Sequence, residues 1–139
     1  MSDSISITAE HELPVRQARA ASIALWGLQL AIAGMFLLAG ASKLTGLPAM
    51  LALFDAIGIG QWFRYLTGTI EVVSAIALVV PTLAPFAALA LAATMVGAVA
   101  THLLVVGGSP AVPIVLLVGS LAVAWARRDQ LSRVLSRLY

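Results

Sequence analysis

Apolar runs, each closed by glycine, proline or a charge, make up most of this chain. The first covers residues 23–44 and carries Trp26 near its start, where an amphipathic ring suits a membrane–water boundary. "TGLP" ends it, with Gly46 placed for a C-cap and Pro48 just beyond. Further runs follow at about 65–80, 85–106 and 112–126. A membrane helix needs about 20 apolar residues, so the pattern predicts four transmembrane helices, the second and fourth rather short. The stretch "AMLALFDAIGIGQWF" (49–63) is different, being too short and too interrupted by Asp55, Gly58 and Gly60 to cross. Its Met50, Leu51, Phe54 and Ile57 recur at helical spacing, which predicts a short interfacial or re-entrant helix between spans one and two.

The ends are polar. Residues 1–22 hold three acids and lack the basic start of a cleaved signal, so a polar and partly disordered tail is expected before a retained span. In "RRDQLSRVLSRLY" (127–139), Leu131, Val134, Leu135 and Leu138 share a helical face, with Arg127, Arg128, Arg133 and Arg137 largely elsewhere. That pattern predicts an amphipathic basic tail suited to an anionic leaflet. The expected fold is an all-α integral membrane protein. A four-helix bundle occupies 23–126, with the interfacial helix after span one and the amphipathic helix at the C-terminus. The third run is rich in alanine and glycine, which let helices approach closely in lipid.

Composition points the same way. The chain has 139 residues, 61% hydrophobic and 10% charged, with a mean hydropathy of +1.03. Soluble domains are about 25% charged, and one this small could not hide so much apolar surface. A net charge of +2, with basic residues near the ends, favours anionic lipid over nucleic acid as a partner. The absence of cysteine excludes thiolate nucleophiles, disulfides and cysteine-held clusters. The chain carries no GxGxxG, Walker or HExxH motif and no metal-ligand cluster, so no self-contained catalytic motif is visible. Arg16, Arg19 and the four C-terminal arginines lie on one side of a four-span layout, and Lys43 and Arg64 on the other. The positive-inside rule then places both termini in the cytoplasm.

With that orientation, four ionisable groups converge on the outer half. Lys43 lies at the outer end of span one, and Arg64 begins span two. Glu71 sits about 10 Å below the start of span two, at about 1.5 Å per residue. His102 is about one turn below the outer end of span three. An intramembrane acid costs about 2.5–3.5 kcal/mol on insertion scales, so Glu71 calls for a partner or a purpose. Lys43 can reach inward to it or snorkel to the interface. Arg64 can equally be an interfacial anchor and His102 a hydrogen-bonded packing residue. Ser42, Thr67 and Thr101 add hydroxyls. Phe54, Trp62 and Tyr65, with Phe63, form either an interfacial belt or the cover of a pocket for a flat ring. Gln29, in the inner half of span one, is placed to bond a neighbouring helix.

"FLLAGASKLTG" (36–46), "GTIEVVSAIALVVP" (68–81) and the small-residue third span ending at His102 together resemble the DoxX-like family of small bacterial membrane proteins. The resemblance covers about 25–126 and implies a four-helix membrane bundle. It also implies a quinone-linked or accessory role in membrane oxidoreductase systems, with the family's lysine at Lys43, its acid at Glu71 and, more loosely, a histidine at His102. Quinone is the cofactor it implies; the partner is another membrane or redox subunit, or further copies of the chain. Two other readings stay open: a non-catalytic scaffold for a larger complex, and a small lipophile-binding or transport protein.

Overall fold

The computed structural model describes residues 2–137, with side chains described from Leu13 onward. The elements are α1 (Ser2–Leu44), α2 (Pro48–Ile57), α3 (Gln61–Leu78), α4 (Ala84–Thr101), α5 (Ala111–Ala126) and α6 (Arg128–Leu135). A π-helical turn, His102–Val106, prolongs α4. No strand occurs among the described residues.

The four long helices pack in a ring. α1 lies against α3, α3 against α4, α4 against α5, and α5 closes onto α1. Ile32, Phe36, Leu78, Leu91 and Val123 fill the middle, with Ala75 and Ala88 between them. Elsewhere the surface is apolar: Leu38, Val73, Ile76, Val96, Leu104, Val115 and Val118 are all exposed. Water would penalise such a surface and lipid would not.

Two helices are long and apolar enough to cross a membrane unaided: residues Leu13–Leu44 within α1, and Ala84–Val106. α5 reaches that standard only when joined to α6, from which it is bent by 55°. α3 has 18 residues but carries Gln61, Arg64 and Glu71, and falls below the standard in apolarity. The all-helical fold and a membrane-embedded core are therefore clear, whereas the four-span count rests on two short or polar helices.

Local chemistry sets the helix ends. α2 starts with Pro48, whose missing N–H costs nothing in a first turn, and stops at Gly58 in the left-handed conformation (φ 77°). The short helix is thus ten residues, and α3 begins at Gln61, four residues before the expected span. Residues 13–22, expected as part of a disordered-prone tail, are helical and extend α1 as an exposed rod. α6 turns Leu131 and Val134 partly inward and leaves Leu135 exposed; Leu138, expected on the same face, lies outside the described residues.

α1 and α3 meet at two glycines. A Cβ on Gly40 would lie 2.7 Å from Val72 Cγ2 and 2.9 Å from the Gly68 carbonyl oxygen. One on Gly68 would lie 3.0 Å from Lys43 Cβ and 3.2 Å from the Gly40 carbonyl oxygen. The backbones touch here because neither position has a side chain. Gly34, on the same helix, has nothing within 4 Å. Gly40→Ala is expected to destabilise the protein by about 1–3 kcal/mol through overpacking, and Gly34→Ala to leave stability unchanged or raise it. Denaturant titration of both variants in one detergent checks this; equal midpoints would contradict the close contact.

Candidate functional site

The glycine crossing decides where two charges go. Lys43 follows Gly40 by three residues and Glu71 follows Gly68 by three, so each sits one turn beyond the contact on a facing helix. Lys43 Nζ donates to Glu71 Oε2 at 2.7 Å, with the side chains 15% and 2% exposed. The lysine stem therefore runs inward to the acid and does not snorkel outward. Glu71 Oε1 accepts no hydrogen bond among the described residues, and Nζ retains donors beyond the one committed to Glu71.

Arg64 is buried about one turn before Gly68 and the crossing, and it works on the end of α1. Its Nη1 donates to the Lys43 carbonyl oxygen, a last-turn carbonyl of α1 that also accepts from the Gly46 N–H at 3.2 Å. A cation there also faces the negative end of the helix dipole. Nε donates to Gln61 Oε1 at 2.7 Å, and the guanidinium stacks 4.2 Å from the Tyr65 ring centroid. Gln61 Nε2 in turn donates to Asp55 Oδ1 at 2.7 Å and to the Leu51 carbonyl at 3.0 Å. Side chains from α2 and α3 are thus joined to the α1 backbone just outside the ion pair.

The remaining candidates take different places. His102 Nδ1 is 2.9 Å from the Ala98 carbonyl of its own helix, and no hydrogen bond joins it to Lys43, Arg64 or Glu71. Phe54 is buried and meets Phe63 edge-on at 5.9 Å. Trp62 and Tyr65 are exposed on the outside, so the aromatics divide between a packing contact and a surface pair. The hydroxyls of Ser42, Thr67 and Thr101 are bonded to carbonyls of their own helices.

A second polar cluster occupies the opposite end. Gln29 is fully buried; its Nε2 donates to the Leu78 carbonyl, and its Oε1 accepts from Arg127 at 3.3 Å (Nε) and 3.1 Å (Nη2). The Arg127 guanidinium lies 5.2 Å from the Trp26 ring centroid. The sequence marked Gln29 for a bond to a neighbouring helix but gave Arg127 only a place on the basic tail. The available signal was that Gln29 and Arg127 each lie within a turn or two of the same end of their spans.

These features define a small helical membrane protein organised by an ion pair between its first two long helices. The chain belongs to the DoxX-like family, whose model matches residues 27–125. The matched segment includes the glycine crossing, the Lys43–Glu71 pair and α2, and stops before α6. Comparison with curated proteins and with solved structures gave no match.

Removing one member of a buried pair leaves the other charge uncompensated, at a cost of about 3–5 kcal/mol. Lys43→Met and Glu71→Gln should each destabilise strongly, whereas the double variant should lose less than their sum. A double-mutant cycle of unfolding free energies measures the coupling, expected at about 1–3 kcal/mol. Strict additivity would show that the two side chains do not interact in the membrane.

Proposed function

We propose that this chain is a four-span subunit of a bacterial inner-membrane redox system, with both termini cytoplasmic and a quinone-binding site at Lys43 and Glu71. One observation carries the reading: a pair of a half-buried lysine and a buried carboxylate, with an unbonded carboxylate oxygen and spare ammonium donors, set within an otherwise apolar bundle. A quinone carbonyl needs a donor, its reduced hydroxyl needs an acceptor, and the rest of the molecule needs an apolar surface. Lys43 supplies the donor, Glu71 the acceptor, and the surrounding helices the surface. Charge held where water is scarce also interacts strongly with protons arriving or leaving. The chain has no cysteine and no electron carrier visible in its sequence, so a redox partner supplies the electrons. Arg64, bonded to the Lys43 backbone carbonyl, and His102 border the site in this reading, and neither bonds to the two charged groups.

A scaffold role is the second reading. It is favoured by the outer face of α4, where Ala93, Gly97 and Ala100 are exposed and nothing lies within 4 Å of a Cβ placed on Gly97. A neighbouring helix can approach closely on such a face.

Protein extracted in a mild detergent should retain a quinone, detected by mass spectrometry of the organic extract. Glu71→Gln should reduce that occupancy about tenfold while the helical circular dichroism is kept. Wild-type protein without quinone overturns the reading, and a co-purifying membrane subunit in that case supports the scaffold.

A further inference from the structure

Arg64 has more donor capacity than the protein uses. The residue is 3% exposed, yet no carboxylate among the described residues pairs with it, because Glu71 is taken by Lys43 and Asp55 is bonded to Gln61. Nε is committed to Gln61 and Nη1 to the Lys43 carbonyl. Nη2 has no hydrogen bond among the described residues. Ser120 Oγ is the one fully buried, unpartnered side-chain polar atom among them. Nη2 therefore keeps an edge open to the surface. A desolvated guanidinium with no counter-charge is costly unless an anion reaches it.

The surroundings say what kind of anion. Gly46, at φ 69°, lies against the guanidinium, and a Cβ there would stand 3.4 Å from Nη1 and 3.6 Å from Nη2. The bare turn leaves a gap on that side. Tyr65, stacked on Arg64, is 51% exposed, and Trp62, a turn away, is 60% exposed. Leu47, which follows Gly46, Ile59, whose carbonyl accepts from Trp62 Nε1, and Leu66, which follows Tyr65, are exposed too. Exposed amphipathic aromatics mark the level of lipid head groups, and the exposed aliphatic residues suit acyl chains. An oxyanion arriving at this level with acyl chains attached meets a guanidinium edge and an apolar wall together. Arginine binds phosphate well in that setting because its donors are planar and weakly hydrated.

We propose that Arg64 binds the phosphate of an anionic phospholipid at the Lys43 end of the bundle. Nη2 donates to a phosphate oxygen while Nη1 holds the α1 carboxyl end, so the lipid completes a clamp that the protein begins. The site is separate from the Lys43–Glu71 pair and does not depend on a quinone being bound.

The test must ignore the cytoplasmic arginines, which attract anionic lipid of their own. A reporter protein with Trp26→Phe, Trp62→Phe, Trp125→Phe and Tyr65→Trp has its single indole at position 65, against Arg64. It is reconstituted in vesicles of mixed phosphatidylglycerol and phosphatidylcholine, with one or the other brominated in its acyl chains to quench the indole. Phosphatidylglycerol should be preferred about fivefold at position 65, the scale set by one basic group near an anionic head group. Arg64→Gln in the same reporter should bring the ratio to about one. If that variant does not fold, Arg64→Lys keeps the charge and should retain at least half of the preference. Inorganic phosphate at tens of millimolar should leave the ratio unchanged. The proposal is overturned by a ratio near one in the Arg64 protein, by the same ratio after Arg64→Gln, or by a ratio near one after Arg64→Lys. Loss of the preference in inorganic phosphate overturns the lipid as the ligand and points to a free oxyanion.

Discussion

A charge in lipid must find another charge, and that requirement organises this bundle. Lys43 and Glu71 are 28 positions apart in sequence and 2.7 Å apart in space. The pair forms only if α1 and α3 cross at backbone contact one turn away, and they do so because both helices present glycine at that point. In an apolar solvent, close backbone packing is itself a main source of helix association. The crossing and the ion pair therefore favour the same arrangement of the two helices: the glycines set the distance, and the charges set which residues face each other.

Polar contacts concentrate at the two ends of the bundle and leave its middle to apolar packing. At one end Arg64, Gln61 and Asp55 connect α2 and α3 to the last turn of α1. At the other, Gln29 joins α1 to the last carbonyl of α3 and to Arg127 beyond α5. Between them lie Ile32, Phe36, Leu91 and Met95. Apolar side chains in lipid fix relative depth weakly, since sliding one helix along another exchanges similar contacts. Directional bonds at both ends remove that freedom and hold α1 in register with its neighbours.

Much of this was legible in the sequence, and what was not has identifiable causes. Apolar run length and the punctuation of Gly46, Pro48 and Pro81 located the helices, because bilayer thickness and backbone chemistry act locally. Glu71 announced a partner through its insertion cost, and Lys43, at the outer end of the preceding span, was a candidate with a stem long enough to reach inward. Depth along a helix is readable from residue counting; direction around it depends on how neighbours rotate. That is why His102, at a suitable depth, bonds its own helix instead of joining the pair. It is also why Arg64, which begins a span and reads as an anchor, is buried against the turn after α1. The residues of α3 gave no sign that the Lys43 carbonyl would lie beside it. Phe54 and Trp62 likewise look equivalent in sequence, yet one faces α3 and the other faces outward.

The bond between Gln29 and Arg127 has a consequence for how the protein is made. The partners are 98 residues apart, so Gln29 leaves the ribosome long before the arginine that will meet its side-chain oxygen. At about 5–20 residues per second, the delay is about 5–20 s. The Leu78 carbonyl arrives earlier and can occupy the amide nitrogen, but the oxygen must wait for the residue that follows α5. During that interval the first span carries an unsatisfied polar group that lipid cannot solvate. The contact between Gln29 Oε1 and Arg127 can therefore form only after synthesis has passed residue 127, later than the contact between Gln29 and the Leu78 carbonyl.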